Sequence, residues 1–318
     1  MSKIKLLEIR SEIAAGTRGS SLGSDALRVA SLNKKSTYFS NYPLKLIADR
    51  NDLLWSAIDT PSAIRIEGLV EVYRNVSESV CKVLGDGDFP LVLAADHASA
   101  GGTIAGIKKA YPNKRLGVIW IDAHGDLHSP YTSPTGNMHG MPLATALGIN
   151  NEECQVNQVK DLTLAKWDEL KNMGGMSPKI LPSDLVFFGV RDTEQPEDFL
   201  IEKHGIKNYT VAETREFGIK KAVAETLAKL TDCDILYISF DVDSMDPDVV
   251  SYGTGTPVKD GFNPAEAQEI IELLLESKKV VTFEMVEINP TLDNKCNKMA
   301  ETAFEILEQT TRVIEQNK

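Results

Sequence analysis

Short runs of Val, Ile, Leu and Phe alternate along the chain with longer stretches in which apolar positions recur every three to four residues. The first pattern predicts strands buried on both faces, the second amphipathic helices. Strands are expected at Leu91–Ala95, Leu116–Ile121, Leu185–Val190, Ile235–Phe240 and Val280–Phe283, and helices over 64–84, 99–110, 139–148, 161–173, 217–231, 263–277 and 294–316. The clearest helix start is at residue 263. Asn263 can cap, Pro264 has no N–H to leave unpaired, and Glu266 and Glu269 favour the positive end of the helix dipole. Strands alternating with helices imply an α/β protein in three layers, α/β/α, around a central, mostly parallel sheet. No internal repeat and no Gly/Ser- or Pro-rich linker divides the chain, so a single domain over 1–318 is expected.

The residues just after each strand carry the chemistry. The runs end in Asp96-His97, Asp122-Ala-His124-Gly-Asp126, Arg191-Asp192, Asp241-Val-Asp243 and Glu287. In open α/β sheets the loops at the carboxyl ends of the strands converge on the ligand, so these five ends point to one pocket. Of five histidines, His97, His124, His128 and His139 fall within 43 residues. If Asp122-x-His124-x-Asp126 stayed extended, its polar face would span roughly 13 Å at about 3.3 Å per residue. Ligands of two metals about 3.5–4 Å apart must lie closer than that. The segment is therefore expected to curl, with Gly125 permitting the turn. Asp241 and Asp243 repeat the spacing after another apolar run, whereas Asp246, followed by Pro247, reads as a turn residue. Burying so many carboxylates without cations costs several kcal/mol per ion, so a bound metal is the economical reading. Carboxylate and imidazole donors without thiolate suit Mn²⁺, with Fe²⁺, Co²⁺ and Ni²⁺ as competitors.

Charge and cysteine usage narrow the partners. Asp and Glu number 46 against 34 Lys and Arg, a formal charge of -12 with no basic patch, which argues against a nucleic-acid partner and suits a cationic substrate. Cys81, Cys154, Cys233 and Cys296 are too widely spaced for a zinc or redox pair. No apolar run approaches the length of a membrane span, and Glu8 interrupts what would be a signal-peptide core. A cytoplasmic protein without a membrane partner is expected.

These motifs resemble the arginase family of ureohydrolases, binuclear manganese enzymes that cleave guanidinium compounds to urea and an amine. The resemblance runs from Gly16-Thr-Arg18-Gly19 to Phe283-Glu-Met-Val-Glu287-Ile-Asn-Pro290, and includes Thr135-Gly-Asn137-Met-His139-Gly-Met141-Pro142. It implies that His97, Asp122, Asp126 and Asp243, with His124 and Asp241, complete two metal spheres, some carboxylates bridging. It implies attack of a bridging hydroxide on the guanidinium carbon, with Asp126 holding the hydroxide and passing a proton to the leaving amine. His139 matches a histidine proposed as a proton shuttle, Glu287 would orient the guanidinium through paired hydrogen bonds, and Thr254 would line the pocket. A homotrimer or homohexamer is implied as well.

At the amino-acid end of the substrate, the resemblance places Ser133, Thr135 and Asn137 at the α-carboxylate, and Asp192 and Glu194 at the α-amino group. This chain has His128 where the family usually has Asn, and Glu194 where it usually has Asp; both preserve a hydrogen bond but change its reach. L-Arginine is the leading substrate, with agmatine, a guanidino acid and formimidoylglutamate as rivals; a metal-dependent deacetylase or an inactive relative ranks lower. Beside His97, Ala94-Ala95-Asp96-His97-Ala98 replaces the family's Gly-Gly-Asp-His-Ser. The loss of backbone freedom and of a hydroxyl predicts weaker binding of one ion.

Overall fold

The computed structural model describes residues 3–317; Met1, Ser2 and Lys318 of the expected domain lie outside the described residues. Eight parallel strands form one sheet: β1 (Ile4–Ile9), β2 (Leu44–Ile47), β3 (Phe89–Ala94), β4 (Leu116–Ile121), β5 (Leu185–Phe188), β6 (Lys207–Tyr209), β7 (Ile235–Asp241) and β8 (Val280–Val286). Their order is β2-β1-β3-β8-β7-β4-β5-β6. The five strands expected from apolar runs are β3, β4, β5, β7 and β8. The other three carry polar residues that the pattern passed over. Glu8 in β1 is buried but held by Arg10 at 2.8 Å and Arg28 at 3.4 Å. The short strands β2 and β6 are sheet edges, which tolerate polar side chains because one side is unpaired.

Successive strand residues feed opposite faces. Val92, Val118 and Trp120 join a core with Leu69, Ile104, Leu143 and Trp167 from the helices Ile66–Gly85, Ser99–Ala110, Pro142–Leu147 and Asp161–Lys171. Leu91, Ile119 and Ile121 join a second core with Leu27, Val223, Ile270 and Phe304 from the helices Gly23–Asn33, Ile219–Lys229, Pro264–Leu275 and Lys298–Gln316. The sheet is thus the middle of three layers, and both faces are dry. Asn263 caps its helix as expected, accepting from the N–H groups of Ala265 and Glu266.

Glycines set two of the departures from the expected bounds. The expected strand through Val190 stops at Phe188 because Gly189 takes φ 87°, where a Cβ would sit 2.7 Å from the Phe262 ring. The expected helix over 217–231 begins only at Ile219 and runs to Lys229, because Gly218 with φ 86° separates it from a preceding helix, Val211–Phe217. The expected helix over 139–148 is shorter, Pro142–Leu147, preceded by a single 3-10 turn at Met138–Gly140.

The chain leaves β3 through the helix Ser99–Ala110 and enters the sheet again at β4, three positions away; β8 and β7 later fill the gap. The carboxyl ends of β3, β8, β7 and β4 are therefore contiguous at the point where the strand order reverses, the usual place for a ligand in such sheets.

Candidate metal centre

His97 follows β3 by three residues and lies flat on Trp120 of β4, ring centroids 4.0 Å apart at an interplanar angle of 6°. That stacking, together with a 2.8 Å contact between Nε2 and Ser239 Oγ, fixes the imidazole. Its Nδ1 faces three carboxylate oxygens: Asp122 Oδ2 at 2.9 Å, Asp126 Oδ2 at 3.1 Å and Asp241 Oδ2 at 3.2 Å. A second group adjoins the first. His124 Nδ1 lies 3.2 Å from Asp243 Oδ2 and 3.4 Å from Asp122 Oδ1, so Asp122 belongs to both. The pair after β7 is shared out, Asp241 to His97 and Asp243 to His124.

Local backbone chemistry aims these oxygens. Asp241 Oδ1 accepts from the N–H of Asp243 at 2.8 Å, capping a short turn and leaving Oδ2 for His97. Asp243 Oδ1 accepts from Ala123 N–H, and Thr256 Oγ donates to its Oδ2 at 3.0 Å. The turn role and the ligand role thus fall to different oxygens of the same carboxylates. Asp246 shapes a turn, as its sequence suggests, accepting from Asp248 N–H. The segment 122–126 curls, but not at Gly125: the left-handed residue is Asp126, φ 50°. Gly125 instead makes room for Glu197, whose Oε1 would meet a Cβ at 3.0 Å.

The buried atoms His97 Nδ1, Asp122 Oδ2 and Asp126 Oδ2 have no well-aligned hydrogen-bond partner although they converge. Protons alone serve this assembly poorly. Burial raises Asp126, Asp241 and Asp243 above the ordinary aspartate pKa, aided by Asp122 at Asp126 and by Asp243 at Asp241, and opposed by His124 at Asp243. Burial also works against charge on the imidazoles, yet Asp122 beside His97 and Asp243 beside His124 hold both well above the ordinary histidine value. Asp122 is pulled the other way: against burial, His124 and His97 hold it below the usual carboxylate range. Two divalent cations would set four positive charges against four carboxylates and give the orphaned atoms partners, so the residues fit a metal pair. The alanines before His97 cost the loop nothing, since neither Ala94 nor Ala95 takes a positive φ. The backbone half of the reason for a weakened site is thereby removed.

Above this floor opens a cleft lined by His97, His124, Asp126, His139, Asp241 and Thr256. His139 forms part of its wall, with Nδ1 3.3 Å from Glu287 Oε1, which also accepts from His97 N–H at 2.9 Å. Burial lowers the His139 pKa, but Glu287 raises it past the ordinary value. Glu287 itself is buried behind His139. The mouth is acidic, lined by Asp192, Glu194 and Glu197 with His128 among them. His128 Nε2 is in direct contact with Glu194 and 3.5 Å from Glu197, while Nδ1 meets Thr132 Oγ at 3.1 Å.

Of the residues expected at the amino-acid end, His128, Asp192 and Glu194 reach the cleft, but Ser133, Thr135 and Asn137 are not among its lining residues. Ser133 Oγ and Thr135 Oγ accept instead from Gly136 and Asn137 N–H, shaping their own turn. Thr254 is buried off the cleft; the threonine on its wall is Thr256, two residues on. Arg191 turns away and ties the loops together by donating to the carbonyls of Gly189, Asp243 and Val258. Sequence reasoning missed Glu197, Ser239 and Trp120. Glu197 is buried and pushed up to about 7 by that burial, although His128 pulls it back. Its signal was the Glu194-x-x-Glu197 spacing, in which Glu197 Oε2 accepts from Glu194 N–H to start the helix Gln195–His204.

The family model described as "Arginase family" matches residues 3–311. The chain belongs to the Arginase family. It is 35% identical over 308 residues to the arginase of Bacillus subtilis (strain 168), covering 96% of each chain. It is 34% identical to the arginase of Bacillus caldovelox, covering 96% of this chain and 97% of that one. A crystal structure of the B. subtilis arginase superposes with a TM-score of 0.82 at 34% identity over 98% of each chain. The protein is thus an arginase-family hydrolase with two candidate metal-ligand groups joined through Asp122, and a third, His128, Glu194 and Glu197, beside the same cleft.

Proposed function

We propose that the protein hydrolyses the guanidinium group of L-arginine to L-ornithine and urea, with two Mn²⁺ ions as its resident metals. One ion would be held by His97, Asp122, Asp126 and Asp241, the other by Asp122, His124 and Asp243. The observation that carries the reading is the pair of imidazole–carboxylate groups joined through Asp122 at the floor of an acidic cleft. When bound, the metal pair supplies Lewis acidity that lowers the pKa of water towards neutrality.

The chain's own residues do the rest. Asp192 and Glu194, exposed at the mouth, favour a cationic guanidino compound over an anionic one. Glu287, fixed by His97 N–H and His139, orients the guanidinium. Asp126, with Oδ2 turned to the first ion, uses its other carboxylate oxygen to hold the attacking water and relay its proton to the departing amine. His139 exchanges that proton with solvent at the cleft wall. Asp192, Glu194 and His128 hold the amino-acid end. Ser133, Thr135 and Asn137 reach a bound carboxylate through water or a shift of their turn, and Thr254 supports the wall formed by Thr256.

The sequence and the names of the relatives favour arginine over agmatine. Urea release from the two compounds, measured on the Mn²⁺-loaded protein, tests this choice: arginine should have the higher kcat/KM, and a preference for agmatine would reverse it. The reading also includes one working domain, a homotrimeric or homohexameric assembly and a cytoplasmic location. Among the described residues no helix is long and apolar enough to cross a membrane.

A further inference from the structure

Behind His97, on the side away from the metal-facing carboxylates, the sheet carries polar side chains that the proposed reaction does not use. Trp120, Ser239 and Glu284 are register partners across β4, β7 and β8. Tyr237 precedes Ser239 by two residues and so lies on the same face of β7. All four are completely buried. The row is otherwise apolar, with Phe187 of β5 beside Trp120 and Val92 of β3 beside Glu284. A carboxyl, a phenol and a hydroxyl in the middle of a parallel sheet are costly unless each finds a partner. Here they find one another. Tyr237 donates its hydroxyl to Glu284 Oε2 at 2.6 Å, Ser239 stands within hydrogen-bonding reach of the Tyr237 hydroxyl, and Ser239 Oγ lies 2.8 Å from His97 Nε2.

The chemistry of the end group gives this chain a direction. Oε2 of Glu284 accepts from Tyr237, so the tyrosine oxygen is free to accept from Ser239, and the serine oxygen to accept from His97 Nε2–H. A proton on Glu284 leaves this direction unchanged when it sits on Oε1, the oxygen away from Tyr237. A neutral imidazole with its hydrogen on Nε2 has its lone pair on Nδ1, and Nδ1 is the atom that faces Asp122, Asp126 and Asp241. We propose that Tyr237 and Glu284 are positioning residues which, acting through Ser239, hold His97 as its Nε2–H tautomer so that Nδ1 presents a lone pair to a divalent cation. Partners of this kind behind a metal-bound histidine set its tautomer and its basicity. The inference rests on His97 being a metal ligand but concerns residues that touch neither metal nor substrate.

The test uses the full-length chain, stripped of metal, labelled with ¹⁵N-histidine and held above the raised pKa of His97, where the ring is neutral and has a tautomer to read. Tyr237→Phe deletes one oxygen. It should move the His97 ring nitrogens away from the pure Nε2–H pattern in NMR spectra, with the signal assigned by its loss in His97→Asn. Calorimetric titration with Mn²⁺ should show one site weakened about 10- to 100-fold and the other unchanged. Glu284→Gln keeps an oxygen that can accept from Tyr237 and should stay close to wild type; Glu284→Leu should behave like Tyr237→Phe. At saturating Mn²⁺ the KM for arginine should be unaltered in Tyr237→Phe, Glu284→Gln and Glu284→Leu. A folded Tyr237→Phe protein with the wild-type tautomer and two unchanged Mn²⁺ affinities would overturn the proposal, as would equal losses in Glu284→Gln and Glu284→Leu. Should Glu284→Leu not fold, Tyr237→Phe and Glu284→Gln decide the matter. Failure of the wild type to bind Mn²⁺ would strike the metal reading instead, and the tautomer signal of the metal-free protein would still judge the relay.

Discussion

Asp122 is the one carboxylate placed in both metal-ligand groups, Oδ2 towards His97 and Oδ1 towards His124, whereas Asp243 belongs to one. Replacing Asp122 by Asn keeps the shape and removes the charge from both sites. Loss of a supporting partner costs 10- to 100-fold in metal affinity, so about 100-fold per ion is a fair figure for a ligand itself. With Mn²⁺ at about 100 times the wild-type Kd, each ion stabilises the wild type by about 2.7 kcal/mol, and an ion bound about 100-fold more weakly contributes only about 0.4. Asp122→Asn therefore forfeits roughly 4.6 kcal/mol of metal-linked stability, and Asp243→Asn about half of that. For a chain of 318 residues the unfolding entropy is about 0.67 kcal/mol/K, so these losses correspond to roughly 7 and 3.5 °C of the metal-induced rise in Tm. Differential scanning calorimetry of each variant, with and without Mn²⁺, reads the difference directly. Equal losses in the two variants, or a normal Mn²⁺-induced shift in Asp122→Asn, would refute the shared-ligand geometry.

Asp126→Asn should abolish urea release while far-UV circular dichroism stays native; an unchanged rate would remove Asp126 from the reaction. The metal-free protein should lose stability as pH rises from about 4. Asp126, Asp241 and Asp243 have raised pKa values, so the fold holds their protons more tightly than the unfolded chain does, and that advantage fades as they ionise. His97 and His124, also raised, add stability that is complete below the ordinary histidine pKa and is lost above their folded values, a slope of the same sign. Metal binding needs these groups deprotonated, so the Mn²⁺-induced rise in Tm should grow between pH 5 and 8, and calorimetry showing it shrink would contradict the ligand set. Gly136→Ala places a Cβ 1.9 Å from Pro61 O at φ 73°, so it should displace the 133–137 turn and raise the KM for arginine more than it lowers Mn²⁺ affinity. Steady-state kinetics with an unchanged KM would separate that turn from the substrate.

The convergence of carboxylates and imidazoles on one floor was legible because such side chains cluster at strand ends, and strand ends are marked by the apolar runs before them. Asp122, His124, Asp126, Asp241 and Asp243 could be found from those two facts. The helix with Asn263 and Pro264 at its start was legible for a similar reason, since capping is local chemistry. The features that escaped depend on contacts between distant segments. Glu8 in β1 reads as a polar interruption until Arg10 and Arg28 close on it. Ser239 and Trp120 gain their meaning only from the β4–β7 register, which sets them side by side under His97. Thr254 and Thr256 are separated by a single glycine, and only the path of the loop decides which one faces the cleft. The turn of 122–126 falls on Asp126 rather than on Gly125, whose missing side chain instead leaves room for Glu197, a contact between distant segments that the sequence does not show.

One titration tests the metal pair most directly: Mn²⁺ added stepwise to metal-stripped protein while urea release from L-arginine is followed. A two-ion centre predicts no urea without metal, and activity that rises until two ions per chain are bound and then levels off. Full activity at a single ion, or no urea at any Mn²⁺ level, would contradict it.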